Sequence, residues 1–346
     1  MKFSRTIFLT GFPGFIAKRL VSRLAAADMQ FFLLVEERMT DAAISAAEQI
    51  ANETGMPLDN FALITGDITK ADLGISIDDL AVIRDDTTDV FHLAAVYDLA
   101  VAENIARAVN FEGTRNVNEL VRSLPNLQRY NYISTCYVAG RRTGRILETE
   151  LEHNAGFRNF YEETKYLAEL EVEKLRSDLP VTIFRPSVVV GDSKTGETLK
   201  YDGVYYLINY LRMAPSLLRL VNVGNSNVRL NLVPVDFVVD AIAVLSSDEN
   251  AVGKTFALAD PAPLTTAELF DVLAEKMTGK RSVIKPPPAL IQNSLLMPVA
   301  PPVTGLPHSA VPYFFLAQTY DTAAAGELLK PYGIQCPNFR EYAGNL

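Results

Sequence analysis

Short apolar runs alternate with amphipathic stretches along the first 190 or so residues of the chain. Residues 6–10 (TIFLT), 31–35 (FFLLV), 61–64 (FALI), 89–95 (DVFHLAA), 130–133 (YNYI) and 181–191 (VTIFRPSVVVG) are apolar and rich in β-branched or aromatic side chains. Runs of that kind, without polar alternation, predict strands buried on both faces of a parallel sheet. Between them, residues 18–28, 41–55, 103–124 and the run FYEETKYLAELEVEKLRS beginning at Phe160 show helical spacing and composition. Strand alternating with helix predicts an α/β fold with a doubly wound parallel sheet. From about Asp192 the alternation loosens. Residues 230–236 and the FVVDAIAVLS run predict one more strand and helix returned to the first domain. Residues 255–259 predict a further strand, and TTAELFDVLAEKMTG a helix with a threonine cap and a terminal glycine. The expected division is a domain of residues 1–191, rejoined by 230–248, and a smaller, mostly helical C-terminal substrate region of 192–229 and 249–346. Within the latter, a Pro-rich apolar segment (285–307) reads equally as a packed irregular loop or as the wall of a greasy pocket.

The first strand runs into Gly11-Phe12-Pro13-Gly14-Phe15-Ile16-Ala17 and then an amphipathic helix. Strand, glycine turn and helix in that order form the Rossmann-type dinucleotide fingerprint. Gly11 permits the tight turn, Gly14 the close approach of a diphosphate to the helix N-terminus, and Ala17 close helix–strand packing. Pro13, Phe15 and Ile16 complete the candidate cradle. After the second strand, Glu36 is placed to accept ribose hydroxyls, which favours NAD, while Arg38 suits the 2′-phosphate of NADP; both cofactors stay open. Asp67 and Ile68 follow the third strand, where they would cap and sandwich adenine, and Leu93, Ala94 and Ala95 bring small residues under the cofactor after the fourth. His92 reads as a packed histidine and Cys136 as a small buried residue.

Ser134 and Thr135 stand at the C-terminal end of the fifth strand, where open α/β sheets bind ligands. Tyr161 and Lys165 are four residues apart and share one helical face. A nearby ammonium favours the phenolate, which makes a tyrosine useful as a general acid. Asn110, an amide on a mostly apolar helix, needs a hydrogen-bonding partner. Arg141, Arg142 and Arg145 form a basic loop at the same end of the sheet, either solvated or able to meet phosphates.

Composition narrows the options. A net charge of −9 argues against nucleic acid as the main partner. Two cysteines without CxxC spacing and three scattered histidines suggest neither a disulfide framework nor a metal site. No run of 18 apolar residues predicts a membrane span. The cationic, apolar N-terminus imitates a signal peptide, but Gly11, Pro13 and Gly14 break it, so the expected location is the cytoplasm.

Taken together, TGFPGFIA, GDIT, HLAA, NFEGTRN, ISTCYVAG, YEETK and RPSVVVG, in that order, resemble the extended short-chain dehydrogenase/reductase superfamily over nearly the whole chain. VNFEGTRNV, YISTCYV, ETKYLAE and GDSKTGETLKYDG look most like its fatty acyl-CoA reductase and thioester reductase branch. The resemblance implies Tyr161 as proton donor, Lys165 as its electrostatic partner and a holder of the nicotinamide ribose, and Thr135, or alternatively Ser134, as carbonyl polariser. It implies a water relay through Asn110, and Pro186, Ser187 and Val188 lining the nicotinamide. The implied reaction is NAD(P)H-dependent reduction of an acyl-CoA or carrier-bound thioester, with a homodimer as the possible assembly. Oxidoreduction of a secondary alcohol or ketone, sugar-nucleotide chemistry and a dinucleotide-sensing module are the alternatives. Glu36, where thioester reductases commonly carry an arginine, is the main departure from the pattern.

Overall fold

The computed structural model describes residues 3–201, 203–213, 218–298, 300–301 and 306–346. Its strands, in chain order, are β1 (Arg5–Thr10), β2 (Met29–Val35), β3 (Phe61–Thr65), β4 (Asp89–His92), β5 (Arg129–Ile133), β6 (Gly144–Ile146), β7 (Val181–Pro186), β8 (Val188–Val190), β9 (Leu232–Pro234), β10 (Thr255–Leu258) and β11 (Gln318–Tyr320). Seven of them form one parallel sheet in the order β10-β7-β5-β4-β1-β2-β3. The order reverses between β1 and β4, and a crevice opens beyond the carboxyl ends of strands at such a switch point.

Helices cover both faces. α1 (Phe15–Leu24) and α2 (Thr40–Thr54) pack on one, α3 (Ile77–Asp86) and, after the short α4 (Glu103–Ala106), α5 (Gly113–Arg122) and α6 (Phe160–Glu173) on the other. Alternate residues of β1 feed the two cores: Ile7 and Leu9 join the α1 side, Phe8 the α3 side. Burial of both faces explains the unbroken apolar runs in the sequence. The substrate-side region has its own core, drawn from α7 (Val204–Met213), α9 (Thr266–Thr278) and residues such as Leu230, Phe314 and Phe339. α8 (Val235–Leu245) packs on α1. α9 has the expected threonine cap, a full capping box between Thr265 and Glu268, and ends at Gly279 in the left-handed conformation.

Five elements differ from expectation. Residues 255–258 belong to the main sheet rather than the substrate region: β10 pairs with β7 as its edge strand. The 230–236 strand shortens to β9 and pairs with β8 outside the main sheet. The 181–191 run divides at Ser187, whose N–H donates to Leu258 O at 3.0 Å and whose hydroxyl donates to Asn231 at 2.8 Å, bending the chain toward β9. β4 stops at His92, so Leu93, Ala94 and Ala95 are loop, and the 103–124 helix contains a π-helical stretch, Arg107–Glu112, between α4 and α5. Apolar periodicity carries no signal for which sheet a short strand joins.

Membership of β10 in the main core has a measurable consequence. Phe256 is fully buried and stacks on Phe184 of β7 with ring centroids 6.1 Å apart. Phe256→Ala should lower the stability of the main unfolding transition by about 3–5 kcal/mol in urea melts. Ile77→Ala, at a position 87% exposed, should stay within about 0.5 kcal/mol of wild type.

Candidate active site

The glycine turn sits against the loop that follows β4. Gly11 has φ +92°, and a Cβ there would lie 2.8 Å from the backbone nitrogen of Ala94. A Cβ on Gly14 would meet Gly11 O at 2.7 Å. Only glycine lets these three backbone segments close together. α1 then begins without a side-chain cap and without an acidic residue in its first turn. The first N–H groups of a helix have no partner within it, and the first turn of α1 lines, with Gly11 and Gly14, a cleft of about 310 Å³. A backbone cradle of this shape, free of negative charge, fits the diphosphate of a dinucleotide.

The same cleft gathers residues from three more strand ends and a helix: Leu93, Ala94 and Ala95 after β4, Ser134 and Thr135 after β5, Pro186, Ser187 and Val188 between β7 and β8, and Tyr161 and Lys165 from α6. Pro13, Glu36, Arg38, Asp67, Ile68 and Asn110, also expected at the site, are not among its walls. Glu36 and Arg38 lie on the surface beyond β2, joined by a 2.6 Å ion pair whose hydrogen bond raises the Arg38 pKa. Asp67 accepts from the N–H of Thr69 at 2.9 Å and from its hydroxyl at 2.7 Å. Ile68 belongs to the α3-side core and touches the site of Gly113.

Asn159 caps α6 by accepting from Glu162 N at 3.0 Å, which sets Tyr161 and Lys165 in the first two turns. Both are buried. Lys165 Nζ donates to Tyr132 OH and to Ile133 O, each at 2.9 Å, and lies 4.5 Å from the centroid of the Tyr132 ring. Burial pushes its pKa down to about 7, against the opposing field of Glu169. The Ser134 hydroxyl donates to Glu169. Thr135 Oγ1 instead accepts from Tyr137 N at 3.2 Å, so its own O–H proton can point to a ligand. Asn110 sits in the π-helical stretch, a feature that recurs at functional sites. It accepts from Val96 N at 2.8 Å and donates to Val96 O and Thr164 Oγ1, each at 3.2 Å. Both of its amide protons therefore hold the post-β4 loop against α6, and neither is left for the water relay expected of it.

His92 is packed as expected. Its ring nitrogens lie 2.7 Å from Thr10 Oγ1 and 3.0 Å from Thr114 Oγ1, and burial, with Lys165 nearby, depresses its pKa to about 3. The Cys136 thiol is buried, donates to Arg185 O at 3.1 Å and has its pKa raised by that burial. The basic loop is spoken for internally: Arg141 donates to Phe157 O at 2.8 Å, Arg142 pairs with Glu150, and Arg145 pairs with Asp321 at 2.5 Å. Tyr97 and Lys200 were not foreseen. The Tyr97 ring meets Tyr161 edge-on at 5.1 Å, and Lys200 Nζ lies 4.0 Å above the Tyr97 ring while donating to Tyr97 O at 2.6 Å. Both follow motifs visible in the sequence, HLAA and GETLK, but pairing across 103 positions leaves no trace there.

The NAD-binding family described as Male sterility protein matches residues 9–242, which include the glycine turn and the Tyr161–Lys165 helix. The chain belongs to this family. A fatty acyl-CoA reductase of Drosophila melanogaster is 27% identical over 278 residues, 70% of this chain and 54% of that protein. A non-canonical nonribosomal peptide synthetase of a Cladobotryum species is 26% identical over 297 residues, 81% of this chain and 28% of that protein. This family member thus spans about half of the first relative and about a quarter of the second. Among solved structures, the terminal R domain of the myxalamid biosynthetic pathway superposes with a TM-score of 0.81 at 22% identity, covering 99% of this chain and 89% of that one. A Bacillus cereus UDP-glucuronic acid 4-epimerase in complex with NAD has the same fold, with a TM-score of 0.68 at 19% identity over 98% of this chain and 94% of that one. Among the described residues, no helix is long and apolar enough to cross a membrane, and no cluster of His, Cys, Asp or Glu could hold a metal ion.

The buried lysine makes stability depend on pH in a definite direction. Below pH of about 7 both folded and unfolded chains keep the Lys165 proton, and the folded state bears the whole cost of desolvating it. Between about 7 and the ordinary value of 10.5 the unfolded chain binds more protons, so unfolding free energy rises with pH. Denaturation midpoints of wild type, measured against Lys165→Met, should therefore climb across that window. A flat difference would mean that Lys165 titrates normally.

Proposed function

We propose that this family member reduces acyl thioesters, carried on coenzyme A or on a phosphopantetheine arm, with a nicotinamide cofactor. The observation that carries the reading is where the cofactor cleft leads. Tyr97, Tyr137, Val188 and Lys200 also line an adjoining cleft of about 400 Å³, walled further by Leu99, Leu230, Ala310 and Phe314. Tyr206 and Phe314 connect this cleft to a small apolar pocket made by Leu207, Tyr210, Val223, Leu295 and Leu306. Leu295 and Leu306 come from the Pro-rich segment, supporting its reading as a pocket wall; its residues 299 and 302–305 lie outside the described residues. An apolar path ending at a Tyr–Lys pair suits an acyl chain with its carbonyl at the pair. It suits a sugar nucleotide poorly, and the fatty acyl-CoA reductase relative points the same way.

The cofactor supplies hydride to the carbonyl carbon. Charge develops on the carbonyl oxygen, where the Thr135 hydroxyl donates a hydrogen bond and Tyr161 delivers a proton. Lys165, as a cation, favours proton loss from Tyr161 and has a donor to offer the nicotinamide ribose. The resulting hemithioacetal loses its C–S bond to give aldehyde and thiol. A second hydride and proton would take the aldehyde to alcohol. Ser134, bound to Glu169, supports the strand end rather than the carbonyl. Asn110 fixes the loop over which the cofactor lies. Pro186, Ser187 and Val188 border the nicotinamide, and Asp67 and Ile68 the adenine. Glu36 holds the ribose hydroxyls of NAD, and Arg38 is its competitor for a 2′-phosphate. Two free thiols, Cys136 and Cys336, suit a cytoplasmic setting.

Tyr161→Phe should lower turnover of a long-chain acyl-CoA by roughly 10²–10⁴-fold through loss of general acid catalysis. Thr135→Val should cost about 10²–10³-fold, as for other donors to a developing oxyanion. Wild-type turnover in either variant, or cofactor oxidation with UDP-sugars and not with acyl-CoA, would remove the reading. At the β2 end, Glu36→Ala should shift the ratio of NADP to NAD efficiency upward and Arg38→Ala downward, read from kcat/KM for each cofactor. An unchanged ratio in both would place the ribose elsewhere.

A further inference from the structure

α6 carries a third polar residue on the face of Tyr161 and Lys165. Glu169 lies four positions beyond the lysine and is fully buried. One of its oxygens accepts from Arg185 Nε at 2.8 Å and Nη2 at 2.5 Å; the other accepts the Ser134 hydroxyl. Arg185, also buried, donates onward to Glu150 O at 2.9 Å and Glu148 O at 3.3 Å. The carboxylate thus ties α6 to the ends of β5 and β7, the two strands that deliver Thr135 and Pro186 to the cleft. A buried ion pair is an expensive fastener: well-packed apolar side chains of similar volume often hold a fold as well or better. The charge therefore calls for a second purpose.

We propose that Glu169 is a positioning residue whose carboxylate keeps Lys165 protonated inside the closed site and withholds the Ser134 hydroxyl, leaving Thr135 as the donor to the carbonyl. The proposal rests on the roles given above to Tyr161 and Lys165. The titratable groups around Lys165 come from four elements. α6 contributes Tyr161 and Glu169, and β5 contributes Tyr132, whose hydroxyl is 2.9 Å away. β4 contributes His92, which burial holds neutral, and β7 contributes Arg185, paired with Glu169. Of these, Glu169 alone is an anion. Tyr132 offers the ammonium an acceptor and a π face, but Glu169 is the one member of the set that offsets its desolvation by opposite charge, directly and by neutralising Arg185. Without the carboxylate, both cations would face a low-dielectric interior unpaired.

Glu169→Gln keeps the shape and one acceptor oxygen, for Arg185, and turns an N–H donor toward the Ser134 oxygen while removing the charge. In the holoenzyme, the high-pH loss of kcat should move to lower pH by about one unit or more. Turnover at pH 8 should then fall about tenfold, while KM for the acyl thioester changes less than about threefold, a split expected when binding contacts are untouched. Glu169→Gln/Arg185→Met removes both members of the ion pair, so Arg185 is not left as an unpaired buried charge, and serves if the single variant does not fold. A second readout needs no substrate. The pH window in which Lys165→Met alters stability should begin lower in the Glu169→Gln background than in wild type. Kinetic limb and stability window both unmoved in a folded variant would overturn the proposal. Full activity of Tyr161→Phe with a moved window would end the proton-donor role of Tyr161 and leave the effect of Glu169 on Lys165 standing. An inactive Tyr161→Phe with an unmoved window would do the reverse.

Discussion

An ammonium group taken out of water is the constraint on which the rest of the site depends. Lys165, 3% exposed, donates two hydrogen bonds to β5, one to a tyrosine hydroxyl and one to a backbone carbonyl. A desolvated cation is costly unless its surroundings compensate. Here the compensation comes from neighbouring acceptors, from the π face of Tyr132 and from a carboxylate one helical turn away. In the role proposed for it the burial has a use: away from water the charge acts more strongly on the Tyr161 phenol than it would at the surface. The α6 cap, the Glu169–Arg185 pair and the Asn110 clamp all fix the same short stretch of helix.

A second constraint is steric. The approach of Gly11 to the Ala94 backbone brings the diphosphate cradle and the post-β4 loop into one surface. That loop carries Tyr97 against Tyr161, and Lys200 reaches over Tyr97 from the far side of the cleft. Glycine turn, Tyr161 and cleft mouth are therefore linked by direct contacts. A bound acyl chain would pass Tyr97 and Tyr137 before reaching the apolar pocket near Leu295 and Leu306.

Much of this was legible in the sequence because parallel strands write their double burial into apolar runs, and because the glycine turn and the Tyr–Lys spacing are local. The parallel sheet covered on both faces, the threonine cap and terminal glycine of α9, and the packed roles of His92 and Cys136 followed from such signals. What escaped depends on contacts between distant positions. Thr255–Leu258 looks the same in sequence whether it joins β7 or the substrate region. Ser134 and Thr135 are adjacent hydroxyls, and only Glu169, 35 positions from Ser134, distinguishes them. The three loop arginines look free until Glu150, Asp321 and Phe157 O are brought to them by the fold.

The central claim is that a thioester carbonyl is reduced between Thr135 and Tyr161. It is tested most directly by following cofactor oxidation and free thiol release together, with a long-chain acyl-CoA as substrate. The account predicts one thiol released for each cofactor oxidised if aldehyde is the product, or one for every two if alcohol is. Cofactor oxidation without thiol release, or thiol release that needs no cofactor, would contradict it.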